Sequence, residues 1–136
     1  MEITISQERG SAAVAVIHIT GHLDGQSYMG LIAEARKVIE GGVTNILLDL
    51  SDLVYISSAG LVALHTIALM TRGEELPDLQ QGWSTLRAMY KKTEVGVQKH
   101  LKLLSPRPEV VSVLDMVGFA SFFEIFTDKR SAIDSF

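Results

Sequence analysis

Two adjacent serines, Ser57 and Ser58, followed by Ala59-Gly60-Leu61, are the side chains in this sequence best placed to do chemistry, because they stand where an apolar run hands over to a helical pattern. The run Ile46 to Leu50 is bounded by Gly41, Gly42 and Asn45 before it and by Ser51 and Asp52 after it, which predicts a strand buried on both faces. Beyond the serines, Leu61, Leu64, Ala68 and Leu69 recur at helical spacing, with Arg72 near the end and Gly73 as a stop. The first N–H groups of such a helix lack intrahelical partners and together carry roughly half a positive charge, so an anion is stabilised there. A serine at that point suits the addition and removal of a phosphoryl group. The structural alternative is that Ser57 or Ser58 only caps the helix, the usual role of serine before an apolar periodic run.

Other chemistry finds less support. Ser58, His22, His65, His100 and several carboxylates supply the residue types of a nucleophile, a base and an orienter. His65 shares a helical face with Ser58, but seven residues of helical rise separate them by roughly 10 Å, too far for an activating hydrogen bond of about 3 Å. Neither a Gly-x-Ser-x-Gly elbow nor a His-Glu-x-x-His spacing occurs, and Gly10, Gly21, Gly25 and Gly30 form no phosphate-cradling pattern. An enzyme is therefore not expected, and neither is a metal or cofactor. Asp49, at a strand end, invites comparison with a receiver phosphoacceptor, yet the N-terminal strand region lacks the acidic pair a receiver needs.

Composition sets the frame for these residues. A chain of 136 residues with 47% hydrophobic and 21% charged residues fits a single globular domain. With a net charge of −4 and no basic stripe, nucleic acid is not an expected partner. The absence of cysteine removes disulfides and thiolate sites, and no apolar stretch reaches roughly 18 residues, so no membrane insertion is expected and the cytoplasm is the default.

The elements that must position the serines follow from periodicity. Ile3, Ile5, Val14, Val16, Ile17 and Ile19 alternate around Glu8-Arg9-Gly10-Ser11 as in a hairpin ending at Thr20-Gly21. Ser27 to Glu40, with Leu31, Ala35, Val38 and Ile39 on one face, predicts a helix leading into the buried strand. A strand from His100 to Leu104, a helix from Glu109 to about Met116, a last strand from Phe122 to Phe126 and a final helix within Asp128 to Phe136 complete the order. The class is α/β: a mostly parallel mixed sheet of about five strands, opened by an N-terminal hairpin and packed with four or five helices.

This order, together with Gly21-His22-Leu23-Asp24, with Asp49-Leu50-Ser51 and Ile56-Ser57-Ser58-Ala59-Gly60-Leu61, and with the turn Gly118-Phe119, resembles the STAS family, the domain shared by sulphate transporters and bacterial anti-sigma-factor antagonists. The resemblance covers nearly the whole chain, as one STAS domain over residues 1–136. It implies a switch: unphosphorylated, the protein binds an anti-sigma factor/serine kinase of the histidine-kinase-like ATPase type; phosphorylation breaks the complex, and a phosphoserine phosphatase restores it. Matched to the family pattern, Ser58 takes the phosphoacceptor position and Ser57 stands where an aspartate is common, which leaves Ser57 as a rival acceptor. Asp24, Ser57, Ala59, Gly60 and Leu61 are the implied partner-binding residues. For Asp24 the structural alternative is a helix-initiating turn with Gly25, capped by Ser27. Asp52 is read as organising its loop through its side chain.

The segment of about 73–98 departs most from the family pattern and is longer than ordinary loops. Leu79, Trp83, Leu86 and Tyr90 recur at helical spacing, so Trp83, Leu86 and Tyr90 either pack back onto the sheet or form a contact surface for a partner or a second copy, giving a homodimer. Two other functions fit the same family: the STAS subunit of a lipid-transport ABC complex, and a stressosome-type scaffold component.

Overall fold

The computed structural model describes residues 1–73 and 97–136. Strands β1 (Ile3–Arg9) and β2 (Ala13–Leu23) form an antiparallel hairpin in register from Ile3 opposite Ile19 to Arg9 opposite Ala13. Helix α1 (Tyr28–Glu40) crosses to β3 (Ile46–Ile56), which lies parallel to β2, and α2 (Ser58–Thr71) follows at once. Strand β4 (Leu101–Leu104), helix α3 (Pro108–Met116), a three-ten turn (Phe119–Phe122), the short strand β5 (Ile125–Phe126) and helix α4 (Lys129–Asp134) complete the described elements. The five strands stand in the sheet in chain order, each beside its predecessor, and all pairs after the hairpin are parallel.

Both faces of the sheet are covered, which explains why the central strands read as continuous apolar runs. On one face Ile17, Ile19, Leu48 and Leu103 pack with Leu31, Leu64, Val110 and Phe119 from α1, α2, α3 and the three-ten turn. On the other, Val14, Val16, Leu47 and Leu104 pack under Ala132 and Ile133 of α4. Helix α2 is buried around most of its circumference, with Thr66 and Thr71 inside as well. Its hydroxyls survive burial by bonding to their own helix: Thr66 Oγ1 donates to the Val62 carbonyl and Thr71 Oγ1 to that of Ala68, each at 2.7 Å.

Several boundaries differ from the sequence reading. Strand β2 runs on to Leu23, and β3 continues through Ser51-Asp52 to Ile56 instead of ending at Leu50. The register explains this: between His18 and Thr20, and again between Gly21 and His22, β3 carries one more residue than β2. Each extra residue is a bulge that turns the strand, so Leu50, Leu53 and Ile56 face inward at spacings of three. At the other end, β5 is only two residues long because Phe122 belongs to the three-ten turn and Phe123 is buried beside it. Gly118 opens that turn in the left-handed region (φ 77°), a conformation glycine adopts without penalty, and Phe119 beside it is 2% exposed. The Gly118-Phe119 turn therefore stands where the sequence put it.

Candidate functional site

Strands β2 and β3 end together, with Leu23 opposite Ile56, so Asp24 and Ser57 leave the sheet side by side. Ser57 is extended (φ −101°, ψ 179°), and its N–H donates to the Leu23 carbonyl at 2.9 Å before α2 begins at Ser58. Its own carbonyl accepts from the Leu61 N–H at 3.1 Å, which makes Ser57 the N-cap by position. Its hydroxyl makes no capping bond; Oγ is buried and has no hydrogen-bond partner. Ser58, one residue on, is exposed. The two serines thus differ in access, not merely in position.

The start of α2 is pressed against the strand ends. A Cβ on Gly60 would lie 2.5 Å from Ile56 Cγ1 and 2.9 Å from the Leu23 carbonyl oxygen, closer than side-chain carbons come. Gly60 is buried and Leu61 is 1% exposed, so these two build the platform beneath the surface and do not form the surface itself. Ala59 is half-buried between them and Ser58.

Asp24 closes the turn from β2 into α1. Its Oδ1 accepts from the Gln26 N–H at 3.0 Å, and the single proton of the Ser27 hydroxyl is shared between the His22 carbonyl at 2.8 Å and Asp24 Oδ1 at 3.3 Å. The bond from the Gln26 N–H, with those from Ser27 and the nearby His22, holds the Asp24 carboxyl below the usual carboxylate range. Ser27 sits at the N-cap of α1 but bonds backward: its Oγ accepts from the Asp24 N–H at 3.0 Å and gives α1 no capping bond. The helix-initiating turn expected from Asp24-Gly25 is present, at the strand end that adjoins Ser57, and the Asp24 side chain borders an open groove shared with Met1, Ile3 and Glu34.

Sequence reasoning passed over Val54 and Tyr55, which are 43% and 50% exposed at the end of β3. Tyr55 lies in register with His22, and their rings meet edge to face with centroids 5.7 Å apart. The signal was present in the chain: Leu53 and Ile56 already supply the inward positions, so the aromatic and β-branched residues between them had to face out. The other candidates lie elsewhere. Asp49 Oδ1 accepts from the N–H and hydroxyl of Ser51 at 3.1 and 2.7 Å, so Asp49, and not Asp52, organises its own surroundings. Asp52 Oδ2 instead lies 2.7 Å from His18 Nε2. His100 Nδ1 is 2.8 Å from Asn45 Oδ1, at the opposite end of β3 from the serines. Among the described residues no three His, Asp or Glu side chains form a group able to hold a metal. Nor, among them, is any helix long and apolar enough to cross a membrane. Trp83, Leu86 and Tyr90, with the helix expected around them, lie outside the described residues.

A family model described as "Mlab, STAS domain" matches residues 6–77, just over half of the chain, and spans both strand ends, α1, α2 and the serine pair. The chain belongs to the STAS family. Solved structures agree on the fold. The unphosphorylated form of the anti-sigma factor antagonist SpoIIAA is 21% identical with a TM-score of 0.59, covering 96% of this chain and 94% of that one. An anti-sigma factor antagonist from Mycobacterium paratuberculosis is 18% identical (TM-score 0.59; 97% and 92% covered). A putative anti-sigma factor antagonist from Thermotoga maritima is 16% identical (TM-score 0.63; 96% and 92% covered). Comparison with curated protein sequences gives no match. This STAS chain therefore has the fold of anti-sigma-factor antagonists, and its serine junction lies inside the segment that the family model matches.

Proposed function

We propose that this STAS chain acts as a cytoplasmic, non-enzymatic anti-sigma-factor antagonist, switched by phosphorylation of Ser58. Unphosphorylated, it binds an anti-sigma factor/serine kinase of the histidine-kinase-like ATPase type. The kinase transfers the ATP γ-phosphoryl group to Ser58 Oγ, leaving ADP and a proton, and a phosphoserine phosphatase returns the hydroxyl. The observation that carries the choice of residue is the difference in access: Ser58 is exposed at the first position of α2, whereas the Ser57 hydroxyl is buried. A phosphoserine brings about 1.5 to 2 negative charges and three acceptor oxygens. At the start of α2 that charge faces the positive end of the helix dipole, so the chain itself tolerates it. Its cost falls on the partner, which must meet a new anion at the start of α2. Asp24, Ala59 and the Ser57 backbone are the contact residues in this reading; Gly60 and Leu61 hold them in place.

One observation favours a second reading. Ser57 occupies the position at which the family's kinase substrates commonly carry an acid, which suits a STAS subunit of a lipid-transport ABC complex that need not be phosphorylated. Incubation with a purified ATPase-type serine kinase and ATP, read by mass spectrometry, separates the two. Wild type and Ser57→Ala gain one phosphoryl group and Ser58→Ala gains none. A chain that no such kinase modifies and that co-purifies with a permease and its ATPase overturns the switch. Loss of modification in Ser57→Ala alone overturns the choice of acceptor.

A further inference from the structure

The outer edge of β1 pairs with no strand among the described residues. The direction of its backbone groups follows from one bond: the Glu2 carbonyl accepts from the Thr20 N–H at 3.0 Å, which makes residues 2 and 20 a hydrogen-bonded pair. Hydrogen-bonded and non-bonded pairs alternate along antiparallel strands. With Thr4 opposite His18 and Ser6 opposite Val16, residues 4, 6 and 8 therefore address β2. The N–H and C=O groups of Ile3, Ile5 and Gln7 point outward. Ala15, opposite Gln7, agrees with this phase, since its N–H crosses to the Asn45 carbonyl on the β3 side at 2.9 Å.

Natural edges are commonly blunted by lysine, proline, bulges or brevity. From Ile3 to Gln7 β1 has none of these and pairs with β2 without a register shift, whereas at its far end Arg130 of α4 donates to the outward Arg9 carbonyl at 3.2 Å and Lys129 pairs with Glu8 at 3.5 Å. Thr4, Ser6 and Gln7 are exposed and uncharged, while Ile3 and Ile5 are partly buried at the rim of the main core. Beside Ile3 lies an open groove of about 900 Å³, bordered by Met1, Gly21 and Gly30 and by the polar side chains of His22, Asp24, Gln26, Ser27 and Glu34. Ile3 and Ile5 thus carry the rim of the core to this edge, next to an open groove.

We infer that β1 pairs antiparallel with β1 of a second copy of this chain, about a two-fold axis perpendicular to the sheet, joining two five-stranded sheets into one. The occupant follows from the self-complementarity of the edge. Ile3 opposite the second copy's Ile5, and Ile5 opposite its Ile3, exchange all their outward N–H and C=O groups. In that register Thr4 meets Thr4 at the axis, Glu2 meets Ser6, and no like charges face each other. The second copy's Ile5 enters on the face where the groove beside Ile3 is open. Ile–Ile and Thr–Thr are favourable cross-strand pairs. A shift of two residues, with Ile5 at the axis, brings Glu2 opposite Glu8, so charge selects the first register.

Sedimentation equilibrium of the full chain tests the pairing. Wild type shows reversible dimerisation between micromolar and millimolar concentration. Thr4 is exposed on a non-bonded pair, where side chains are closest, so Thr4→Lys and Thr4→Glu each weaken the dimer about five-fold or more by placing like charges at the axis. Both variants keep the wild-type circular dichroism and Tm, and their equimolar mixture regains the dimer because opposite charges then meet. Amide exchange at Ile3 and Ile5 slows with wild-type concentration, and slows less at the same concentration in either variant alone. A wild-type chain that stays monomeric to millimolar concentration, as it would if the edge took another protein's segment, overturns the inference. So does a dimer indifferent to both substitutions, or a mixture no better than its components.

Discussion

Gly60→Ala is the substitution whose cost is most directly set by geometry. The new methyl would sit 2.5 Å from Ile56 Cγ1, 2.9 Å from the Leu23 carbonyl oxygen and 3.0 Å from Leu23 Cγ. The isoleucine can turn aside, but the carbonyl cannot, because it is fixed in β2 and accepts the Ser57 N–H at 2.9 Å. Helix α2 must then lift by about half an ångström, against a core in which Leu61, Ala63 and Leu64 are at most 1% exposed. Overpacking of this kind costs about 1–3 kcal/mol. Replacing glycine within a helix returns up to about 1 kcal/mol. The net expectation is a loss of about 1–2 kcal/mol, or a Tm lower by about 3–8 °C for a chain of this size. Urea unfolding should show a lower midpoint at unchanged slope. Gly30→Ala is the matched control, since its Cβ meets nothing within 4 Å and the change should raise stability by about 0.5–1 kcal/mol. If Gly60→Ala proves as stable as wild type or behaves like Gly30→Ala, the close approach of α2 to the strand ends is wrong.

Ser57→Ala runs against the usual rule for N-caps, where loss of the hydroxyl costs about 1 kcal/mol. Because the Ser57 hydroxyl is buried and unpaired, its removal should leave the urea midpoint unchanged or raise it by the equivalent of about 1 kcal/mol. Lys102 is 5% exposed at its side chain, donates to the carbonyl and hydroxyl of Ser135 at 3.0 and 2.9 Å and lies 4.6 Å from the Phe136 ring centroid. Lys102→Ala should cost about 2–3 kcal/mol in urea unfolding, and Lys102→Met, which keeps the apolar stem, less than half as much. Asp24 and Asp128 are held below their ordinary range chiefly by bonds from Gln26 N–H and from Ser131, respectively. The stability they contribute is complete above the unfolded carboxyl value of about 3.9 and is lost as pH falls through their lower folded values. Melting curves from about pH 2 to about pH 6 should therefore fall at the acid end, and the fall should be shallower in Asp24→Asn and Asp128→Asn.

Where the sequence was legible, local pattern and tertiary structure agreed. Ile46 to Leu50 sits between two covered faces, α2 is apolar over nearly all its turns, and Gly118 has a positive φ that marks it as a turn from its residue type alone. Where it was not, the deciding interaction came from a distant residue. Ser51-Asp52 has turn composition, but the pairing of Asp52 with Thr20 and of Leu53 with Gly21 draws it into β3, and bulges replace the alternation by which a strand is recognised. Phe122 and Phe123 suit a strand, yet rings packed on Phe119 hold them in and beside a three-ten turn. The serine junction was visible as a pair; the burial that separates Ser57 from Ser58 was not, because it depends on how closely Gly60 lets α2 approach Leu23.

The chain order of the strands has a consequence for how the molecule comes into being. Each strand finds its partner among those already made, so no strand must wait for a later one to fill a gap between neighbours. Contacts between consecutive elements close small loops first, which favours early pairing. On a ribosome, β1, β2, α1, β3 and α2 would emerge together with the junction at Leu23, Ser57 and Gly60; β4 would then add along one flank through its four pairs with Ile46 to Asp49, and β5 beside β4. The surface around Ser58 can thus be assembled while the rest of the chain is still being made, and a partner or kinase present at that stage would meet it already formed.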